Sequence, residues 1–113
     1  MMRGEIWWAD FGIPFGSEPG FRRPVIVVQD NSFNKSNINT TIVIPLTTNI
    51  ALAEAPGNLL LKKTITKLNK ESACVVSQIG VIDKDRLVEK IHKLDRETIF
   101  EIEIGIRLVL GIS

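Results

Sequence analysis

The sequence predicts a mainly β fold, a small barrel completed by a C-terminal helix. Three observations predict it: short β-branched or aromatic segments recur along the chain, polar loops separate them closely, and the last segment has helical periodicity. The 113 residues are 44% hydrophobic and contain no repeat or low-complexity linker. The chain therefore predicts a single domain over residues 1–113.

Five segments have the composition of strands. Trp7 and Trp8 in the first would point to opposite faces, so one is expected in the core and the other near solvent or a partner. The second is a β-branched run that starts at Pro24, typical of a strand buried on both faces. Pro45 in the third favours an edge position or a strand end, and a helical turn capped by Asp83 follows the last. The predicted strands cover residues 4–10, 24–28, 40–46, 58–61 and 72–76.

Two patterns compete in residues 99–110. Apolar and polar side chains alternate from Glu101 to Arg107 as in a strand. On a helical wheel, however, five apolar residues share about 100° of arc that holds no charge. Asp95 as an N-cap and Glu97 in the first turn favour the helix, which is the prediction adopted here.

The predicted helix carries two apolar rows, and one packing face would cover only the first. A second row at i, i+4 spacing predicts burial on two sides and therefore a partner. The alternative is that the final residues fray or lie over the barrel. The first row is Ile99, Ile102, Ile106, Val109 and Leu110, and the second is Phe100, Ile104, Leu108 and Ile112.

Composition excludes several functional classes. Fourteen Lys plus Arg against thirteen Asp plus Glu leave a net charge of +1, so nucleic-acid binding would have to be local. The longest apolar runs have four residues, whereas a bilayer span needs roughly twenty. The first residues lack the apolar core and cleavage site of a secretory signal, so a cytoplasmic location is expected.

The chain has one cysteine, Cys74, and one histidine, His92. These counts exclude an internal disulfide, a structural zinc site and a mechanism that uses two histidines. Cys74 lies in an apolar run and is expected to be buried, and His92 is expected to be structural or incidental. No cofactor or metal is indicated, so any chemistry must use other groups.

Residues 11–22 form a long loop that contains three Gly and two Pro. Loops of about twelve residues are uncommon in compact domains and are often functional. This one ends at Arg22 and Arg23, and Pro24 restrains Arg23 toward an extended backbone. A rigid guanidinium offers a planar fork of donors to a phosphate. The alternative is a pair of ordinary surface ion pairs with nearby carboxylates.

Other residues allow both a functional and a structural interpretation. Thr47 and Thr48 end the third predicted strand, where hydroxyls either face a ligand or cap the turn. Phe15, Phe21 and the outer Trp are candidates for base stacking. A basic patch without an intervening acid attracts a phosphate backbone, but also suits a solvated face or a protected strand edge. This patch consists of Lys62, Lys63, Lys67 and Lys70.

Four segments carry a family resemblance through their order and spacing. They are residues 4–10, the loop from Gly16 to Gly20 with Arg23 and Pro24 behind it, residues 45–48, and residues 77–87. Together they resemble the MazF/PemK family of bacterial toxin endoribonucleases over nearly the whole chain. The resemblance implies an SH3-like barrel of the CcdB/PemK type with a C-terminal helix, forming a homodimer.

The resemblance also implies an activity and a site. Members cleave single-stranded RNA, including mRNA, at short sequences without a metal, and so inhibit translation and growth. The family's catalytic arginine falls on Arg23 and its threonine on Thr47. Candidates for holding bases and phosphates are Ser17, Glu18, Arg22, Thr48 and Gln78.

The implied reaction is attack of a ribose 2′-hydroxyl on the adjacent phosphate, which leaves a 2′,3′-cyclic phosphate and a 5′-hydroxyl. Arg23 would stabilise the developing charge and Thr47 would position the 2′-hydroxyl, with the route of the proton left open. A cognate antitoxin with a disordered, partly acidic segment is the expected partner. Two alternatives remain: a CcdB-like toxin that binds DNA gyrase without catalysis, and a decayed member that binds RNA. The joint presence of Arg23 and Thr47 favours the nuclease.

Overall fold

The computed structural model describes residues 1–13, 16 and 21–113, and it has the predicted architecture of a mainly β domain with a C-terminal helix. The described strands form one antiparallel sheet of seven strands. They are β1 (Glu5–Asp10), β2 (Arg22–Val27), β3 (Thr40–Thr47), β4 (Leu59–Leu61), β5 (Ser72–Cys74), β6 (Gly80–Asp83) and β7 (Leu87–Lys93). The helices are α1 (Asn31–Asn34), α2 (Lys63–Thr66) and α3 (Arg96–Leu110), with 3₁₀ turns at Ile50–Glu54, Val76–Gln78 and Lys84–Arg86.

Strand β3 organises the sheet, whose order is β4-β5-β3-β2-β1-β7. One side of β3 pairs with β2, while its other side pairs first with β6 and then, from Leu46, with β5. β3 is therefore an interior strand, paired with β2 over residues 43–45 and on its other side over residues 40–43 and 46–47. Its last residue, Thr47, is paired with Ala73 of β5.

Two apolar clusters cover opposite faces of β2 and β3. Ile26 and Ile44 lie in the larger cluster, which α3 closes through Ile102, while Val25 and Val43 lie in the smaller one. Because successive strand side chains point to opposite faces, the consecutive apolar residues of β2 are buried in both clusters. The prediction that β2 is a strand buried on both faces is confirmed. Cys74 is also fully buried, and its apolar surroundings raise its thiol pKa to about 12.

The prediction that Pro45 marks an edge strand is wrong, because β3 is an interior strand. Pro45 stands where the pairing of β3 passes from β6, whose last partner is Val43, to β5, whose first partner is Leu46. The carbonyl of Pro45 accepts a hydrogen bond from the backbone N of Val75 at 3.0 Å. An interior proline is tolerated here because its missing N–H falls at a gap between two partner strands.

Strand β2 begins two residues earlier than predicted, at Arg22, so Pro24 is its third residue. Arg22 and Arg23 are consequently strand residues, paired with Asp10 and Ala9 of β1. Strands β6 and β7 and the single-turn helices α1 and α2 were not predicted from the sequence. β6, α1 and α2 are too short to show a detectable period, and the apolar residues of β7 (Leu87, Val88 and Ile91) do not alternate with polar ones.

Helix α3 confirms the helical prediction for the last segment, but it ends at Leu110, so Ile112 lies beyond the helix, and Leu110 is exposed although it was placed in the packed row. The Asp95 carboxylate caps it by accepting a hydrogen bond from the backbone N of Thr98 at 2.7 Å, and Glu97 lies in the first turn. The helix approaches the turn at Gly57 so closely that a Cβ on Gly105 would overlap the Gly57 carbonyl oxygen. Among the described residues no helix is long and apolar enough to cross a membrane.

Candidate active site

The pairing of β2 with β3 brings Arg23 next to Thr47. Val25 pairs with Pro45, and continuing that antiparallel register by two residues sets Arg23 opposite Thr47. The side chains meet, with Nη1 of Arg23 donating a long hydrogen bond of 3.4 Å to Oγ1 of Thr47. Two residues 24 positions apart in the chain are thus joined by strand register alone.

These side chains open into a cavity of about 480 Å³ on the surface of the sheet. Arg23 and Thr47 are half-buried in its wall, while Arg22 and Thr48 are exposed. Its other described walls are Trp8 of β1 and the connection from α2 to β5. The complete described lining is Trp8, Phe21, Arg22, Arg23, Pro24, Leu46, Thr47, Thr48, Leu68, Asn69, Lys70 and Ser72.

The Thr47 hydroxyl combines the two roles that the sequence left open. Its oxygen accepts the long bond from Arg23 and a second one, of 3.2 Å, from the backbone N of Asn49. It therefore caps the turn after β3 and also faces the cavity. A hydroxyl has two acceptor lone pairs and one donor, so the O–H of Thr47 is left to donate to a ligand.

Two aromatic side chains border the cavity on the Arg23 side. Trp8 lies in its wall, while Trp7 packs against the smaller apolar cluster, as predicted for two consecutive strand residues. Phe21 has a positive φ of 58° and is 66% exposed. Its backbone N–H donates to the carbonyl of Gly12 and its carbonyl accepts from the backbone N of Phe11, which holds the backbone of Phe21 at the rim of the cavity.

The chemistry of the described wall is cationic and aromatic. It contains Arg22, Arg23 and Lys70, and none of its described residues is Asp, Glu, His or Cys. Nowhere among the residues that the structure describes do three His, Cys, Asp or Glu side chains come close enough together to hold a metal ion. The arrangement can bind an anion and stabilise its charge, and it offers a base two aromatic faces.

Four of the predicted site residues meet in this cavity: Arg22, Arg23, Thr47 and Thr48. Ser17 and Glu18 lie outside the described residues. Gln78 ends the turn Val76–Gln78 and does not line the cavity. Leu68, Asn69 and Ser72 were not predicted, since only the return of the chain from α2 to β5 carries them to the end of β3.

A family model describing the PemK-like, MazF-like toxin of type II toxin-antitoxin systems matches residues 2–110. The chain belongs to this family. It is 39% identical over 110 residues to the Endoribonuclease MazF2 of Mycobacterium bovis, covering 97% of this chain and 96% of that protein. It is 36% identical over 112 residues to an Endoribonuclease MazF of Staphylococcus saprophyticus, covering 99% and 92%.

Solved structures of the family share the fold. A mycobacterial endoribonuclease in complex with its cognate antitoxin superposes with a TM-score of 0.80 at 18% identity, covering 100% of this chain and 97% of that one. MazF from Deinococcus radiodurans gives a TM-score of 0.79 at 19% identity, covering 98% and 96%. The predicted fold class, the small SH3-like barrel with a C-terminal helix, is confirmed.

Proposed function

We propose that this chain is the toxin of a type II toxin-antitoxin system and acts as a sequence-specific endoribonuclease on single-stranded RNA. The observation that carries the proposal is the Arg23 guanidinium beside the Thr47 hydroxyl in a cavity bordered by Trp8 and Phe21. The relatives named endoribonuclease cover nearly the whole chain and support the same activity.

In the proposed reaction the nucleophile belongs to the RNA. The 2′-oxygen forms a bond to the adjacent phosphorus and the bond from phosphorus to the 5′-oxygen breaks, which yields a 2′,3′-cyclic phosphate and a 5′-hydroxyl. The proton of the 2′-hydroxyl leaves as the first bond forms, and the departing 5′-oxygen gains one. The described wall offers cations in place of metal ligands, so the reaction is proposed to be metal-independent.

Arg23 would stabilise the negative charge that grows on the non-bridging phosphate oxygens. Its position between β1 and β3 fixes the guanidinium before the substrate arrives, which is the condition for electrostatic stabilisation of a transition state. Thr47 would orient the ribose by donating its free O–H, since both its lone pairs accept hydrogen bonds. A positioning role for Thr47 therefore fits the geometry better than removal of the 2′ proton.

The rest of the cavity would hold nucleotides. Trp8 and Phe21 offer faces for unstacked bases, and Arg22 and Thr48 offer donors to phosphates or base edges. Ser17, Glu18 and Gln78 remain predicted contacts to RNA.

The proposed activity is tested by incubating purified protein with a long, structure-poor RNA in EDTA and mapping the cut sites and their ends. We expect cuts at one short motif with 5′-hydroxyl ends. Thr47→Val, which removes the hydroxyl at nearly constant size, is expected to slow cleavage about tenfold, the equivalent of one hydrogen bond of about 1.4 kcal/mol. A folded wild-type protein that leaves diverse RNAs intact would favour a gyrase-binding toxin or a decayed RNA-binding member.

The expected partners are a cognate antitoxin and a second copy of the chain. One structural relative is a complex with its cognate antitoxin, and the cationic cavity suits an acidic segment of such a protein. The second apolar row lies uncovered: Phe100, Ile104 and Leu108 of α3 and Ile112, which follows the end of the helix, are each 50–61% exposed. We propose that this row, which consists of Phe100, Ile104, Leu108 and Ile112, packs against the partner copy in a homodimer.

If this row forms the homodimer interface, Ile104→Lys converts the protein to a monomer at micromolar concentration. Burying a lysine ammonium in an apolar interface is costly, so the dissociation constant should rise by at least about tenfold. Size-exclusion chromatography with light scattering measures the mass. Ile38→Lys makes the same change at an exposed isoleucine away from α3 and should leave the mass unaltered. Equal behaviour of the two variants would show that α3 is not the interface.

A further inference from the structure

A second cavity, of about 470 Å³, adjoins the candidate active site. Asn69 and Lys70 line both cavities, so the two lie next to each other at the connection from α2 to β5. The second cavity is shaped by the residues just after β4 and just before β5. Its described lining is Lys62, Lys63, Thr64, Asn69, Lys70 and Glu71.

The second cavity is strongly cationic for a chain whose net charge is only +1. Its described lining contains three lysines and one carboxylate, that of Glu71. Lys62 and Lys63 are exposed, and neither ammonium forms an ion pair with any residue that the structure describes. Their charges are thus available to a ligand. Together with Arg22, Arg23 and Lys70 of the first cavity, they extend the cationic surface beyond the candidate active site.

The backbone of this connection is held in place. Thr66 is fully buried, and its hydroxyl accepts a hydrogen bond from the backbone N of Leu68 at 3.1 Å, just after Lys67 in the left-handed conformation. Further along, the hydroxyl of Ser72 donates to the carbonyl of Lys70. These hydrogen bonds hold the backbone of the connection, including that of Lys70, which lines both cavities.

Protection of a strand edge accounts for only part of this arrangement. β4 is an edge strand, and charged residues near such a strand discourage pairing with other chains. Lys62 and Lys63, however, follow the end of β4 and line a cavity that adjoins the one containing Arg23. Edge protection requires neither a concave surface nor a second cationic cavity beside it.

We infer that the lysine cavity is a binding site for the sugar-phosphate backbone of RNA that flanks the cleaved bond. The inference rests on the proposed function and extends it to a substrate-length preference: an RNA with a flank that reaches Lys62 and Lys63 is cleaved more efficiently than a minimal one. Lysine ammonium groups bind phosphates as point charges without reading bases, so the preference is independent of the sequence of the flank. Each phosphate neutralised on a single strand steepens the salt dependence of binding by about 0.7 in the log-log slope.

The test compares three RNAs that share the mapped cut motif: a minimal oligonucleotide, and versions extended on the 5′ or the 3′ side. For wild-type protein we expect a higher kcat/KM on one extended RNA. The double variant Lys62→Gln plus Lys63→Gln should reduce that preference roughly tenfold and flatten the salt slope by about 1.4, because two phosphates would no longer be neutralised. A matched double variant, Lys35→Gln plus Lys93→Gln, removes two exposed charges that line neither cavity and lie outside the connection from α2 to β5, and it should keep the preference.

Three results would overturn the inference: no preference for either extended RNA in the wild type, a preference that survives in the Lys62/Lys63 variant, or its equal loss in the matched control. A fourth would be weaker binding of poly-glutamate in the Lys62/Lys63 variant with unchanged binding of extended RNA, which would assign the cavity to an acidic protein segment. If the wild type cleaves no RNA, the proposed activity fails by itself. Fluorescence anisotropy with a short and a long single-stranded RNA of one common sequence, on the wild type and the Lys62/Lys63 variant, then tests the lysine cavity through binding alone.

Discussion

Arg23→Ala is expected to lower kcat for RNA cleavage by roughly 10²- to 10³-fold, the usual cost of removing one preorganised donor from a developing anion. Arg23 is the cation that is half-buried in the cavity wall and hydrogen-bonded to Thr47, whereas the other described cations of the wall, Arg22 and Lys70, are exposed and are not expected to replace it. Arg23→Lys should recover little, because an ammonium cannot reproduce the planar fork. Single-turnover cleavage of the mapped motif measures the effect on the chemical step.

Arg96→Ala is the matched control for charge and residue type. Arg96 is exposed at the start of α3 and lies in neither cavity. Thermal unfolding of both variants verifies that each is folded. If Arg23→Ala keeps its rate within a few-fold of the wild type while the control behaves normally, Arg23 is not the catalytic residue.

Gly105→Ala is expected to destabilise the domain by about 1–3 kcal/mol, even though alanine has the better helix propensity. The new methyl group would overlap the carbonyl oxygen of Gly57, which is backbone and cannot swing aside. α3 would have to move away from the turn, opening the apolar cluster that Ile102 completes. Urea unfolding measures the change in free energy of unfolding.

Gly80→Ala supplies a matched glycine substitution. A Cβ at Gly80, an exposed position in β6, would meet its nearest neighbour at an ordinary 3.7 Å. We expect this variant to unfold within about 0.5 kcal/mol of the wild type, as is usual for surface changes. Equal stability of the two variants would mean that the contact between α3 and the turn relaxes at no cost.

Local signals in the sequence predicted the elements whose determinants are themselves local. Asp95 and Glu97 distinguished helix from strand in the last segment because capping acts within one turn. The buried run of β2 was predicted from β-branching, although its start was placed two residues late because Pro24 suggested a first position. The interior position of β3 was missed, since Pro45 is acceptable only through the gap between β5 and β6.

The site was predictable as a set of residues and much less as a surface. Arg23 and Thr47 were identified through the family resemblance, but their proximity follows from the register of two strands, which no short sequence window encodes. Leu68, Asn69 and Ser72 were not predicted, because they reach the cavity only through the path of the chain between α2 and β5. Lys70 was recognised as part of a basic patch, while its place beside Arg23 required the tertiary structure.

The pairing of β3 along both sides has a consequence for how such a site can be silenced. Thr47 is paired with Ala73 of β5, and the nearby Pro45 is paired with Val25 of β2, so displacing Thr47 would disturb strand pairing that also positions buried residues of β3. We therefore expect the relative positions of Arg23 and Thr47 to change little when a regulator binds. A protein that switches this chain off is then expected to act as a plug that competes with the substrate for space, and its effectiveness will depend on its concentration relative to that of the substrate.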